Sequence, residues 1–481
     1  MSWSQYLVDQ GALEDGQAVA KRAYIVEHLQ ALLDKFTVRL ATQFRIPHEP
    51  CRILPFGSYA IGSHLRASDM DLVCIAPHQV EHFTFFQQFP HILKSESIQV
   101  LEVVHRAPVP IIKFVMDNIP CDMSFARLRA TTLDPLPNLL DDALLEGIDD
   151  VDMRSLDGPR VNLYIAKLVR RQHRDALSSA LRCIKYWAIN RGIYGKPIGY
   201  LNSGTWTLLL CKTYLTSNRS EHTSSQLLLD FFNQWSHWEW PKPVLLNELH
   251  DHDGQSIEFE QLPEFQNDVM PIITPCYPYK SGNPYATQFS KKVLQRELQR
   301  AYAIITADES PQFVSKLYKP FPFDRQYKHY LNIIMFCEST KQQEKWKGKL
   351  AACIPKMLQL LDTNEMITFA HAWTECSTSV YAYRTQEEFL NLTRGVFVDD
   401  PIDYYRTNDL NPGTLFRLDY YIGLELSPSA IDPIHGSVLD LVSQTEQFIQ
   451  EVQSKMVKSD QNIKILVKAV KRRGVMLSSD R

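Results

Sequence analysis

This sequence predicts an α+β chain of several domains, and three observations lead there. At 481 residues the chain can hold two or three domains of ordinary size. Its N-terminal third sets a long amphipathic helix beside short apolar strands, and its C-terminal third runs in a β-α-β-β order. Between them, residues 199–249 look helical and carry Trp206, Phe231, Phe232, Trp235, Trp238 and Trp240, aromatic residues at the spacing of a core. Hydrophobic content of 44% and charged content of 22% are those of a globular protein. The net charge is 51 − 55 = −4, so any polyanion site has to come from local clustering. The first residues (Met1-Ser2-Trp3-Ser4-Gln5) are unlike a signal peptide, and no apolar run approaches the roughly 20 residues of a membrane span. Nine cysteines, with no C-x-x-C pair and several in apolar runs (Cys74, Cys211, Cys337), read as reduced buried thiols rather than zinc ligands.

Taken in order, residues 1–17 carry no pattern. Over residues 20–44, Ile25, Leu29, Leu32, Phe36, Leu40 and Phe44 share one face, which predicts a packing helix with no chemistry. Residues 55–75 come next: a Phe56-Gly57-Ser58 turn, then Asp69-Met70-Asp71 at the mouth of an apolar strand. Residues i and i+2 of a strand share a face, so Asp69 and Asp71 project side by side. The bland reading is a strand end facing solvent. The functional one is a hard divalent cation held between repelling carboxylates and shared with substrate phosphates. A glycine turn with free N–H groups suits such a partner. Residues 78–98 read as a helix or loop in which His82 and His91 are surface or packing residues. Residues 110–116 and 119–125 read as a hairpin about Asp117-Asn118. Asp122 lies in its second strand, in an apolar setting where an unpaired charge is costly. Beside the Asp69/Asp71 strand it would complete three carboxylates suited to two ions in phosphoryl transfer.

Residues 135–155 are acidic and Pro-interrupted, predicting a loop with a short helix, and Leu156-Asp157-Gly158-Pro159-Arg160-Val161-Asn162 reads as a turn. From 160 to 196 the chain is basic, with Asp175 the single acid. Lys185 sits on an otherwise apolar helix and so points at something specific, with a triphosphate the natural candidate. His250-Asp251-His252-Asp253-Gly254 reads as a polar loop rather than a metal site, and 270–275 as an extended segment. A domain boundary falls near Lys319-Pro320-Phe321-Pro322. Strand 328–336, helix 340–361 (Trp346, Leu350, Ile354 and Leu358 on one face) and strands 365–373 and 415–426 predict a small ferredoxin-like domain. It lacks the aromatic RNP1 signature. A helix around 438–458 and a basic tail (Lys464, Lys468, Lys471, Arg472, Arg473) close the chain, the tail either meeting RNA or an import receptor or remaining solvated.

In order and kind, Phe56-Gly57-Ser58, Asp69-x-Asp71 and the later Asp122 resemble the motif set of polymerase-beta-like nucleotidyltransferases. Wider agreement over 56–77, 109–128, 180–206, 270–275 and 327–330 is similar to the eukaryotic nuclear poly(A) polymerases. The resemblance implies a polymerase-beta-like nucleotidyltransferase domain (18–165), a helical central domain (1–17 and 166–318), an RRM-like RNA-binding domain (319–428), and a helix and basic tail (429–481). It implies a monomeric, membrane-free nuclear enzyme that transfers AMP from ATP to RNA 3′-hydroxyls, recruited by mRNA cleavage and polyadenylation factors. Asp69, Asp71 and Asp122 match the triad for two Mg²⁺ or Mn²⁺ ions. Phe56, Gly57 and Ser58 match the triphosphate turn, Lys113 a nucleotide-contacting lysine, and Lys185 and Tyr194 triphosphate contacts. Three departures surround the nucleotide: Asp157 where the family has Asn, Gly195-Lys196 where it tends to Ala-Asn, and Asn202-Ser203-Gly204 where it has Gly-Gly-Val. Asp157 only accepts hydrogen bonds and could take one from the adenine amino group. Lys196 could balance that charge or meet phosphate. Three competing readings are a terminal uridylyltransferase, a small-molecule nucleotidyltransferase, which would not need the large central and third domains, and a catalytically dead RNA-binding scaffold, weakened by an intact Asp triad.

Overall fold

The computed structural model describes residues 3–477 except 67, 106, 218, 252, 308–312, 396–412, 429–430, 433–435, 438 and 476. Helices α1 (Trp3–Asp9) and α2 (Gly16–Phe44) lead into strand β1 (Arg52–Phe56), the short helix α3 (Gly57–Ile61), β2 (Met70–Ala76), α4 (His82–Ser95), β3 (Gln99–Val104), β4 (Ile111–Met116) and β5 (Ile119–Arg127). The five strands form one sheet in the order β1-β2-β5-β4-β3, with β2 and β5 parallel and the other pairs antiparallel. Period two divides its residues. Leu72, Cys74, Met123 and Phe125 face α2 and α4 through Ile25, Leu29, Phe36, Phe85 and Phe89. Val73, Ile75 and Ala126 face the other way, toward Leu156. The α2 face agrees with its spacing, except that Phe44 is exposed and Arg22 is buried.

The expected turn at 156–162 lies instead inside helix α5 (Asp150–Leu168), Pro159 included. Asp-Gly-Pro is a strong local breaker, but here tertiary packing wins. Leu156, Pro159, Arg160 and Ile165 are all buried, and Gly158 passes so close to Phe56 that a Cβ would stand 2.6 Å from its ring.

The central domain stacks α6 (Arg174–Asn190), α7 (Ser203–Thr216), α8 (Ser224–Ser236), α9 (Gln288–Ala307) and α10 (Phe313–Tyr318) around Trp187, Trp206, Phe232 and Trp235, with Trp3 and Leu7 of α1 in the same core. The 249–257 segment is a small hairpin, β6 (Leu249–His250) and β7 (Ser256–Ile257), and Asp251 turns it by accepting the N–H groups of Asp253 and Gln255. The expectation for His252 lies outside the described residues.

After α11 (Phe323–Gln326), the third domain runs β8 (His329–Cys337), α12 (Thr340–Ala351), α13 (Ile354–Asp362), β9 (Ile367–Ala372), β10 (Ser377–Tyr383), α14 (Gln386–Thr393), β11 (Gly413–Leu426), the two-residue strands β12 (Ile431–Asp432) and β13 (Gly436–Ser437), α15 (Val442–Ser454) and β14 (Lys464–Lys471). Its sheet order is β10-β11-β8-β14, with β9 also on β11. Two expectations are corrected here. The helix over 340–361 is two helices, because Pro355 opens the second. The basic tail is no tail: Lys464–Lys471 pairs with β8 and completes the βαββαβ sheet, since Ile465 and Val467 supply an apolar face that the lysines conceal in a composition count. Phe389 and Leu392 of α14 cover the opposite face of that sheet, against Ile334, Phe336 and Leu415. RRMs stack bases on that face.

The central and third domains share one continuous apolar core. Between them Arg191 pairs with Glu297 at 2.7 Å, both side chains buried, and donates to the Lys319 carbonyl at 2.8 Å. His371 lies in the same interface among Phe321, Phe323 and Trp373, its Nδ1 2.9 Å from the Tyr327 hydroxyl. Burial, then Arg191 and Arg296, hold its imidazole down to about 3. The unfolded chain protonates this group near pH 6.5, so stability is complete above that pH and falls as pH drops below it. Between pH 6.5 and 5 this group's own contribution falls by about 2 kcal/mol. Urea titrations of the wild type and of His371→Phe across that range should differ in pH slope by that amount.

Candidate active site

The parallel register of β2 and β5 sets Asp71 opposite Asp122, on the face that carries Val73 and Ala126. Asp69 precedes β2 by one residue and is exposed. Burial, then the Asp69 and Asp122 carboxylates, push the Asp71 carboxyl up to about 7. Asp69 and Asp122 thus stand close enough to oppose the ionisation of Asp71. Lys113, the register partner of Asp122 on β4, donates to its Oδ2 at 2.7 Å. Asp122 and Lys113 therefore stand as a pair at the floor, and Lys113 does not line the cavity described below.

Across β1 and β2, Phe56 pairs with Asp71, which delivers the start of α3 onto that carboxylate. Gly57 has φ +67°, and a Cβ built there would lie 2.2 Å from Asp71 Oδ2. The Asn162 side chain of α5 donates to the Gly57 carbonyl at 3.1 Å and holds the turn. A cavity of about 500 Å³ opens beside it, lined by Phe56, Gly57, Ser58, Asp69, Asp71, Asp157, Lys185, Tyr194, Lys196, Ser203 and Gly204 among others. Every residue expected to meet nucleotide lines it, save Lys113 and Asp122.

From α6, Lys185 reaches the Ser68 hydroxyl at 2.9 Å and lies 5.9 Å over the Tyr194 ring. Burial lowers the affinity of this ammonium for its proton, and Asp69 and Asp71 work the other way. Burial pushes the Tyr194 phenol up to about 12, opposed by hydrogen bonds with Ser203. Ser203 and Gly204 open α7, and the unusual Asn202 before them is its cap, accepting the Thr205 N–H at 3.0 Å.

Asp157 does not pair with Lys196. Its partner is Lys280, from the loop after the extended segment at 270–275, so the salt bridge joins α5 to the central domain along the cavity wall. Lys196 lies in a single 3-10 turn, and burial lowers its pKa. Reading the sequence missed the parts played by Lys280 and Asn162. The one available signal was the family-like segment just before Lys280, to which no chemistry was assigned.

Hard oxygen donors on Asp69, Asp71 and Asp122 fit a divalent cation in kind. Among the described residues, no three carboxylate, imidazole or thiolate groups stand at metal-ligating separation, and Lys113 supplies a positive charge to Asp122. No helix among the described residues is long and apolar enough to cross a membrane.

Three family models match the chain in succession: poly(A) polymerase nucleotidyltransferase domain over 2–169, poly(A) polymerase central domain over 176–320, and poly(A) polymerase predicted RNA binding domain over 322–476. Poly(A) polymerase PAPalpha of Candida albicans is 29% identical over 444 residues, 88% of this chain and 78% of its own. Poly(A) polymerase PAPa of the same species is 30% identical over 450 residues, covering 88% and 80%. Poly(A) polymerase pla1 of Schizosaccharomyces pombe is 29% identical over 407 residues, covering 82% and 70%. Among solved structures, the Cid1 poly(U) polymerase with MgGTP bound is 16% identical with a TM-score of 0.47, over 66% of this chain and 98% of that one.

Proposed function

Because the chain belongs to the poly(A) polymerase family, we propose that it is a polynucleotide adenylyltransferase: it extends RNA 3′ ends with AMP from ATP, without a template, releasing pyrophosphate. The observation that carries this reading is the single cavity in which Gly57, Ser58, Asp69, Asp71, Lys185 and Tyr194 meet. In the reaction, the RNA 3′-hydroxyl attacks the α-phosphate of ATP and the bond to pyrophosphate breaks. Positioning and electrostatics carry most of such a transfer. Asp69, Asp71 and Asp122 would hold two Mg²⁺ or Mn²⁺ ions, which when bound neutralise charge at the attacking and leaving oxygens. Gly57 lets the chain approach the triphosphate closely. Lys185, held by Ser68 and aided by Tyr194, supplies a point charge to it.

The base is chosen further along the wall. Asp157 accepts hydrogen bonds only, so it favours the amino group of adenine over the carbonyl of uracil, and Lys280 anchors its carboxylate. Asp157→Ala removes that acceptor and should lower the ratio of kcat/KM for ATP to that for UTP about tenfold, roughly 1.4 kcal/mol. Steady-state kinetics with each nucleotide measure it.

The same reading makes the enzyme a nuclear monomer working with mRNA cleavage and polyadenylation factors. The exposed Lys471, Arg472 and Arg473 at the end of β14 offer a basic surface to RNA or an import receptor. Primer extension on oligo(A) with Mg²⁺ or Mn²⁺ and each NTP at equal concentration tests the assignment. ATP incorporation well above the rest supports it. UTP or CTP matching ATP overturns the base choice in favour of a uridylyltransferase or other 3′-nucleotidyltransferase, and no incorporation at all leaves only an RNA-binding role.

A further inference from the structure

Behind the Asp69 end of the cleft lies a buried ion pair that the motif set leaves unassigned. Arg22, in the second turn of α2, is 1% exposed, and the side chain of its partner Glu14 is 5% exposed. The guanidinium engages the carboxylate as a fork: Nε lies 3.1 and 2.9 Å from the two oxygens and Nη2 2.6 Å from Oε1. Nη2 also donates to the Ser68 carbonyl at 2.7 Å. The Ser68 hydroxyl accepts from the Leu65 N–H at 3.0 Å and from Lys185 Nζ at 2.9 Å. The next residue is Asp69. His64 Nε2 lies 3.4 Å from Glu14, and the Arg66 N–H donates to the Ala12 carbonyl at 3.0 Å, so the loop is held at several points by the segment before α2.

A buried ion pair returns little net stability, since desolvation offsets most of the attraction. A guanidinium fork does something that apolar packing cannot, because it sets direction as well as distance. Here the object it sets is Ser68, one residue before a candidate metal ligand and in contact with the candidate triphosphate lysine. The fork itself is rigidly mounted, since Ile25 and Leu29 fix α2 in the sheet core.

We propose that the Arg22–Glu14 pair is a positioning device that, through Ser68, fixes Asp69 relative to Lys185, and so the cation site relative to the triphosphate. This rests on the polymerase reading of the cleft. Arg22→Lys keeps the charge but loses the fork; Glu14→Gln keeps the volume but loses the charge. Each is expected to lower kcat at least 30-fold with the KM for RNA primer unchanged. Each should also weaken Mn²⁺ binding about tenfold by calorimetry on the nucleotide-free protein, measured below the onset of unfolding, which the broken pair will lower. Ser68→Ala, which leaves the fork intact, should raise the KM for ATP with Mn²⁺ binding unchanged.

Wild-type kcat and Mn²⁺ affinity in a folded Arg22→Lys protein would overturn the proposal. So would losses that track the unfolded fraction and vanish on cooling, because the pair would then serve folding alone. If Arg22→Lys does not fold, Glu14→Gln decides by the same readouts. If wild-type protein transfers no nucleotide, the polymerase reading fails on its own, while the Mn²⁺ shift still decides whether the pair positions Asp69.

Discussion

Asp122→Ala is expected to lose at least about a thousandfold in RNA extension, roughly 4 kcal/mol of barrier, while the protein stays folded. Asp122 stands opposite Asp71 across a parallel strand pair, so no neighbouring side chain can take its place without moving the sheet. Its pair with Lys113 has both side chains partly exposed, at 24% and 39%. Ion pairs of that kind are worth about 0–1 kcal/mol, so the fold loses little. The variant also leaves Lys113 without its partner beside two remaining acids. Single-turnover extension alongside a urea titration separates the two effects, and a folded variant that extends RNA normally would rule out the triad.

Gly57→Ala should be nearly as severe, a loss of at least about a hundredfold or 2.7 kcal/mol. The position requires φ +67°, and the added Cβ would fall 2.2 Å from Asp71 Oδ2. Left-handed backbone costs an L-residue about 1–2 kcal/mol, and the clash drives Asp71 out of line with Asp122. Gly62, at the other end of α3, separates these causes. It has φ +76°, but a Cβ there meets Ser178 at an ordinary 3.6 Å. Gly62→Ala should therefore lose comparable stability and keep most of its turnover. Equal turnover losses in the two variants would mean that backbone strain, and not Asp71, is responsible.

The acids were legible because an acid inside an apolar strand stands out locally. Parity fixes the face of its own strand that each occupies, and only the parallel pairing of β2 with β5 puts Asp71 opposite Asp122. The spacing of Ile25, Leu29, Leu32 and Phe36 likewise committed α2 to the sheet. Arg22 escaped notice on that same helix, because a lone arginine on a patterned helix looks like every solvated one. Only Glu14, brought up by the chain before α2, makes it an interior residue. Lys280 escaped for a related reason, lying 123 residues from Asp157 with no pattern linking the two.

What the amino-acid order determined by itself was the set of chemical groups and the element each sits on: three carboxylates, a glycine turn, a lysine on an apolar helix and the cores that carry them. These follow from side-chain periodicity and from the cost of burying charge, both of which act over a few residues. What tertiary structure alone decided was who neutralises whom. Lys280 rather than Lys196 pairs with Asp157, Asp-Gly-Pro stays helical under Phe56, and a lysine-rich end becomes the fourth strand of a sheet. In the helix, a local penalty of about 1–3 kcal/mol for Gly and Pro is set against packing, and in all three cases contacts with segments far away in the chain prevail.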